Sequence, residues 1–374
     1  MIALSFWRVF YCLDIIMNRY FALDAFRGLT IALMILVNTP GTWAHVYAPL
    51  LHAHWHGATP TDFVFPFFLF IIGSAMFFSF KKSDFAATPE QFVRIFKRGF
   101  IMFFIGFMLN VIPFNTPVDT WRIMGVLQRI GIAYAIAASL VLLLNRRGVF
   151  ITSAVILLGY WILLLSVGEA GLTIEGNIIR QFDLATLGAN HMYNMRGVSF
   201  DPEGLLSTIP AVVSMLLGFE LTRYLTSIKD KSTSVIKLII VGGLAIGFAA
   251  LWSMVLPINK SLWTSSYVIY TTGFACLLLA AFIWLIDIKG YKKLVEPLMV
   301  YGTNPLFVYV LSFLFVTVYL NIPVGDSSLY RWLYEQFLLI ANPTLASFLF
   351  AFSHVVLFWF ISLKLYQRKI FIKI

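Results

Sequence analysis

Apolar runs of bilayer-crossing length recur along nearly the whole chain, and basic residues fall between them in alternate gaps. This pattern restricts the fold more than any motif does. A run of roughly 20 apolar residues can cross the hydrocarbon core, and backbone polar groups there must be satisfied internally, so each run is read as a helix. Ten spans are expected, at about 23–43, 63–80, 95–113, 122–144, 149–166, 204–225, 235–256, 264–286, 298–320 and 345–364, each near the roughly 17–25 residues that cross a bilayer. The second and fifth are short enough to be tilted or interrupted. Only 12% of the 374 residues are charged and 60% are hydrophobic, whereas a soluble domain is nearer a quarter charged. The expected fold is all-α, a polytopic integral membrane bundle of about ten transmembrane helices.

Loop charge sets the expected orientation. Arg8, Arg19 and Arg27, Lys81, Lys82, Arg94, Lys97 and Arg98, and Arg146 and Arg147 lie in one set of gaps. The same set holds Arg223, Lys229, Lys231 and Lys237, then Lys289, Lys292 and Lys293, then Lys364, Arg368, Lys369 and Lys373. The alternate gaps hold only Arg122, Arg180, Arg196, Lys260 and Arg331. The positive-inside rule then makes both termini cytoplasmic and places loops 44–62 and 167–203 outside. The same alternation explains the net charge of +10 without nucleic acid as a partner; the partner implied is the lipid bilayer. Cys12 and Cys276 supply neither a disulfide framework nor a zinc pattern. Residues 1–22 read as an N-terminal cytoplasmic segment. Within it the stretch before Met17 is apolar without a cleavage-site pattern, and is expected to be a start-site extension. Residues 23–374 read as one transmembrane domain.

Polar side chains are scarce in such a chain, so clusters of them mark candidate sites. The densest is His52-Ala53-His54-Trp55-His56-Gly57, followed by Thr59 and Asp62. Alternating histidines would share one side of an extended segment. A metal is one reading, although no thiolate or carboxylate pair accompanies them. Interfacial polar residues beside an aromatic anchor, Trp55, are another. Asp62 has two readings as well: a first-turn acid after a Thr59 or Thr61 N-cap, or a carboxylate that orients a histidine. Asn38 sits near the external end of the first span, close in the chain to this loop.

Arg129, in Gly125-Val126-Leu127-Gln128-Arg129, falls seven residues inside the fourth span. It is either paired with a buried carboxylate such as Glu220 or turned toward an anion in a polar cavity. Asp201-Pro202-Glu203-Gly204 reads as a helix start, with Asp201 as cap and Pro202 at the first position. The same acids, with Asn259, Lys260 and Trp263 in the next external turn, are candidate sugar contacts. In Tyr301-Gly302-Thr303-Asn304-Pro305, Gly and Pro loosen the ninth span and leave Asn304 free to face the interior. Phosphate-binding glycine loops, nucleophile elbows and zinc-protease helices are not found.

Taken together, Asp24-Ala25-Phe26-Arg27-Gly28, Val37-Asn38, the His52–Thr59 run, Asp62-Phe63-Val64-Phe65-Pro66, Gly125–Arg129, Phe200–Gly204 and Asn259–Tyr267 resemble, in that order, the heparan-α-glucosaminide N-acetyltransferase family and its bacterial relatives. The resemblance runs from about Asp24 to the C-terminus. The family's pattern around its active histidine is similar to His-Ala-x-Trp-x-Gly-x-Thr, so His52 is the match, and His54 and His56 fall at variable positions. No metal is then expected.

The resemblance implies acetyl transfer from acetyl-CoA to the amino group of glucosamine or a terminal glucosaminide. In that reaction His52 would be base or acetyl carrier, Asp62 its orienting acid, and Asn38 a donor to the thioester carbonyl. Arg27, Arg98, Arg129 and Asn304 are the expected acetyl-CoA contacts. Trp55, Asp201, Glu203, Asn259, Lys260 and Trp263 are the expected acceptor contacts. The large lumenal domain of the lysosomal members is not expected in this protein, and Ser312 stands where the lysosomal form has a histidine. A bacterial inner-membrane enzyme acting on a smaller amino sugar is therefore expected, as a homodimer. The competing expectations are an amino-sugar transporter and an O-acetyltransferase of a polysaccharide or lipid-linked sugar.

Overall fold

A helix stands at each of the ten expected positions in the computed structural model, which describes residues 20–372. In chain order the long ones are α1 (Phe21–Asn38), α2 (Val64–Lys81), α3 (Pro89–Val111), α4 (Val126–Leu143) and α5 (Arg146–Leu165). After the short α6 (Ile178–Leu187) come α7 (Thr208–Thr226), α8 (Lys231–Trp252), α9 (Ser265–Ile283), α10 (Lys292–Gly302) and α11 (Pro305–Asn321). The short α12 (Leu329–Leu338) precedes α13 (Pro343–Gln367). The start-site reading, with Arg8, Cys12, Arg19 and Lys373, falls outside the described residues.

Length and composition qualify seven helices as membrane spans: α1, α2 with the turn before it, α4, α5, α8, α9 with the turn after it, and α13. The pair α10–α11, bent by 67°, makes up to eight. This is fewer than the ten expected. Glu90, Arg94, Lys97 and Arg98 lower the apolarity of α3, and Glu220 and Arg223 that of α7.

Small residues let these helices approach closely, as membrane bundles require. A Cβ on Gly73 would stand 1.9 Å from the Met215 carbonyl oxygen, and one on Gly218 would stand 2.1 Å from that of Phe70. The α2–α7 crossing is therefore glycine-dependent from both sides. Around it pack Phe65, Leu69, Phe77, Leu127, Ile130, Tyr134, Val212 and Phe219. Helix α8 instead exposes Ile236, Ile239, Ile240, Leu244, Phe248 and Leu251, the side chains that lipid would cover.

The five connections poor in basic residues gather at one end of the bundle. Gly57 N–H donates to the Ile258 carbonyl (2.7 Å) and Ile123 N–H to that of His191 (3.1 Å). Thr42 N–H reaches Ser347 Oγ (3.2 Å) and the Tyr330 hydroxyl donates to the Pro40 carbonyl (2.6 Å). Segment 167–203 is ordered at this end by α6 and by a hairpin of β1 (Asn194–Met195) and β2 (Val198–Ser199). The hairpin turn, Arg196-Gly197, has positive φ at both residues, 56° and 82°, as a primed two-residue turn demands. Beneath it Tyr160, Leu164, Ile179, Phe200, Leu256 and Leu262 form a separate apolar cluster joined by Trp55.

At the opposite end the chain breaks between α10 and α11. Gly302 presses on the Asp24 backbone, Pro305 takes the first position of α11, and Asn304 sits between them. One expected helix start is corrected. Asp201 does not cap α7, whose first residue is Thr208. Instead Asp201 folds a turn on itself, accepting the Glu203 N–H (2.9 Å), because its oxygens have stronger partners elsewhere.

Candidate active site

Asp62 meets both of its readings, since its two oxygens do different work. Thr59 and Asp62 frame the short turn Pro60–Phe63 that feeds α2. Oδ2 accepts the Thr59 N–H (2.9 Å), the Thr59 hydroxyl (3.1 Å) and the Ala53 N–H (3.0 Å). That fixes the carboxylate and leaves Oδ1 to meet His52 Nδ1 at 2.7 Å. A carboxylate held this way makes Nδ1 the donor and turns the lone pair of Nε2 outward. The His52 side chain is 47% accessible while Asp62 is 1% accessible, so a buried anchor carries an open imidazole.

The remaining histidines diverge. His54 Nδ1 meets Arg196 (2.8 Å), and His56 Nδ1 meets the Asn259 amide (3.3 Å). Partial burial holds the His56 pKa below its ordinary value. Among the described residues no group of three or more His, Cys, Asp or Glu side chains is arranged to hold a metal.

Lys260 arrives from the turn between α8 and α9. Its Nζ lies 3.0 and 3.2 Å from the two ring nitrogens of His52 and 3.8 Å from Asp62 Oδ1. Burial pushes its pKa down, against the opposing pull of Asp62 and Glu203. Asn259 fixes the turn: its Oδ1 accepts the Leu262 N–H (2.8 Å), and its backbone bridges to Gly57. Trp263 is fully buried with φ at +52°, a left-handed conformation that costs a non-glycine residue roughly 1–2 kcal/mol. Packing over-determines it: the indole lies against Phe65 (5.1 Å) and Tyr267 (5.2 Å), with the Arg129 guanidinium 4.9 Å above its ring.

Arg129 itself is corrected in two respects. Helix α4 begins at Val126, so this residue lies in its first turn rather than deep in a span. Nor is Glu220 its partner, for that carboxylate pairs with Arg223 (2.9 Å) and Arg146 (3.6 Å). Arg129 is completely buried and donates to Ser207 Oγ and the Gly204 carbonyl, while its Nε and second terminal nitrogen have no hydrogen-bond partner. A buried guanidinium with idle donors is costly, and it marks a place where an acceptor atom would be held strongly.

Asp201 and Glu203 belong to an adjoining ion cluster. Arg122 forks onto both Asp201 oxygens (2.8 and 2.7 Å) and reaches Glu203 (2.8 Å). Burial alone would weaken the Arg122 charge, but Asp201 and Glu203 outweigh it and hold the guanidinium ionised. Asp201 is fully buried and Glu203 is 14% accessible, so Glu203 is the more open of the two. Asp183 on α6 completes the cluster. Its Oδ1 takes the Leu206 N–H (3.2 Å) and its Oδ2 has no partner. Burial pushes its pKa up to about 6, with Asp201 adding to the rise. Neither Arg122 nor Asp183 stands out in the sequence; the length of segment 167–203 points toward Asp183, and Arg122 is marked only as one of the few basic residues in its set of connections.

The structure thus joins His52, Asp62, Lys260 and Asn259 at one place, with Trp263, Arg129, Asp201 and Glu203 in the adjoining layer. Trp55 closes the same end, donating from Nε1 to the Leu172 carbonyl (2.7 Å). Asn38 is exposed at the end of α1 and no side-chain hydrogen bond ties it to His52. Arg98 lies apart, over the Tyr134 ring (5.0 Å). Arg27 and Asn304 meet near the opposite end. Arg27 bonds Asp24 (2.9 Å) and the Gly302 carbonyl (3.4 Å); Asn304 bonds the Ile370 carbonyl (3.0 Å) and the Ile372 N–H (2.8 Å).

An all-helical bundle in which seven helices, or eight with the bent pair, are long and apolar enough to cross a membrane suits a multi-pass membrane protein, and one end of it holds an imidazole paired with a buried carboxylate. Residues 19–246 match the family described as heparan-alpha-glucosaminide N-acetyltransferase, catalytic. The chain belongs to this family. It is 29% identical to the human heparan-alpha-glucosaminide N-acetyltransferase, over 78% of this chain and 52% of that protein. It is 28% identical to the mouse protein, over 78% and 53%. The chain therefore spans about half the length of these relatives. The matched family region holds His52, Asp62, Arg129 and Asp201, whereas Lys260, Trp263 and Asn304 lie beyond it.

Proposed function

We propose that this protein is a membrane-embedded acetyltransferase that moves acetyl from acetyl-CoA to the amino group of glucosamine or a terminal glucosaminide. The observation that carries the reading is the 2.7 Å contact between His52 and Asp62. The carboxylate is immobilised by three further donors while the imidazole stays open. Acyl transfer to an amine needs a base for the amine proton, and an imidazole with one nitrogen tied to a carboxylate offers the other. His52 takes that proton in direct transfer, or the acetyl group in a two-step path. Asn38 is positioned in chain order, though not by a bond, to donate to the thioester oxygen.

The topology proposed has ten spans, both termini cytoplasmic and the His52 loop outside, in a bacterial inner membrane. The gathering of all loops poor in basic residues at one end supports it. Acetyl-CoA would enter from the basic end. Arg27, Arg98 and Asn304 would meet it there, and Arg129 would meet its far end. Arg27 would exchange its contacts with Asp24 and Gly302, and Asn304 its backbone partners, in doing so. Glu203, Asn259, Lys260 and Trp55 line the acceptor side, with Asp201 and Trp263 bracing them from beneath. The homodimer expected from the resemblance is part of the proposal and is read out by the mass of the purified protein in detergent.

The test is purified full-length protein with labelled acetyl-CoA and glucosamine. N-acetylglucosamine is the expected product. Saturable sugar uptake into proteoliposomes without any acetylated product would replace the enzyme with a transporter, and a base-labile product would indicate an O-acetyl ester.

A further inference from the structure

Lys260 is a primary amine held against the group expected to deprotonate a primary amine. With the Nδ1–H of His52 donated to Asp62, the free lone pair is on Nε2, and Lys260 Nζ stands against the ring face, 3.2 Å from Nε2 and 3.0 Å from Nδ1. Asp62 Oδ1 lies 3.8 Å from Nζ. An acceptor amine handing its proton to His52 must reach the Nε2 edge of the same imidazole, and a turn of the Lys260 side chain brings Nζ to that edge. The turn that presents Lys260 is rigid: Asn259 holds the Leu262 N–H (2.8 Å), Thr264 Oγ1 accepts from the Asn259 N–H (3.1 Å), and Trp263 is locked by its neighbours. Lys260 cannot be a long surface side chain caught in passing, since its side chain is only 17% accessible.

We propose that Lys260 Nζ, beside His52, competes for the acceptor-amine position, and that without an acceptor it takes the acetyl group itself, making Lys260 a self-acetylation site. The inference rests on the acetyl-transfer reading and extends it to a residue of this chain. The step balances with acetyl-CoA as the co-reactant. The neutral Nζ attacks the thioester carbonyl, an N–C bond forms and the C–S bond breaks. The surplus amine proton passes to His52 and then to the departing thiolate, leaving an amide on Lys260 and free CoA thiol. Burial of Lys260 favours the neutral amine that such an attack requires. The amide would remove the charge beside Asp62 and fill the acceptor position, so the modified protein would be closed to its amine substrate.

The experiment is to incubate full-length protein in detergent with labelled acetyl-CoA and no sugar, then map the label by mass spectrometry. Expected is a hydroxylamine-stable acetyl group on Lys260, at least about tenfold below that level in His52→Ala, as loss of a positioned base implies. Lys260→Arg should remove the site, and added glucosamine should suppress it in the unaltered protein. Equal label on Lys260 in His52→Ala, or equal label on an exposed lysine such as Lys82, would be ordinary chemical acetylation and would overturn the proposal. Acetylated glucosamine with no label on Lys260 sinks this inference and leaves the transferase standing. His52-dependent label on Lys260 with no acetylated sugar sinks glucosamine as acceptor and leaves the self-acetylation standing.

Discussion

The two ends of α1 lead to two polar regions built on opposite plans. Beyond its C-terminal end, His52, Asp62 and Lys260 turn toward one another, and the buried Arg129 and Asp183 keep atoms without partners. At its N-terminal end Arg27 is paired with Asp24 and reaches the Gly302 carbonyl, and Asn304 is tied to the main chain of Ile370 and Ile372. Satisfied donors stabilise an element; idle ones, being costly when buried, are kept where something else binds or reacts. On the proposed function the loop end carries the chemistry, and the other end braces the chain and would give up its contacts to a ligand.

The largest effect that would sharpen this contrast is His52→Ala. Transfer should fall about 10²–10⁴-fold, the usual worth of a positioned base, with affinity for CoA nearly unchanged. Retained activity in the substituted protein would move the chemistry elsewhere. Asp62→Asn should also cost about 10²-fold or more in kcat, because an amide facing Nδ1 no longer enforces the tautomer. The drop should appear in kcat rather than KM.

Arg129→Ala is expected to raise KM for acetyl-CoA about tenfold, roughly 1.4 kcal/mol of lost binding. Unchanged affinity would make the residue a brace for Trp263 and nothing more. Asp183 offers a pH test of the same region. Its carboxyl rises from the ordinary 3.8 to about 6, so its contribution to stability is complete below pH 4 and is lost as pH rises through 6. That contribution is at most about 3 kcal/mol. Thermal unfolding in detergent should therefore show stability declining between about pH 4 and 6, and Asp183→Asn should flatten the decline. An unaltered slope would count against a buried, idle carboxyl.

The smallest effect is expected at the other end. Asn304→Ala removes two hydrogen bonds to the 370–372 segment and should cost about 1–2 kcal/mol of stability. If Asn304 only braces, KM for acetyl-CoA stays put; if it also meets the cofactor, KM rises and the contrast between the ends narrows.

Most of the local structure was legible from the chain. Each apolar run is helical, although only seven helices, or eight with the bent α10–α11 pair, are long and apolar enough to be spans; the Thr59–Asp62 turn precedes α2, and the Gly302–Pro305 stretch breaks a helix. The start of α7 was misplaced because Asp201 and Pro202 carry every mark of a helix start, yet Arg122 claims both carboxylate oxygens from 79 residues away. The sequence reads Arg129 as deep in a span because Ile123 and Met124 extend the apolar run; residues 121–125 instead run as loop.

What the sequence determined by itself is set by neighbours in the chain. Backbone groups in an apolar run have only each other, so helices follow from run length, and ten residues suffice to bring Asp62 back to His52. What only the tertiary structure decided lies across the chain. Lys260 reaches His52 over 208 residues, and Arg129 lies above Trp263 beside an idle carboxyl on α6. Those meetings depend on how glycine-lined helices cross and which loops their ends then carry together, and no spacing within a single segment encodes that.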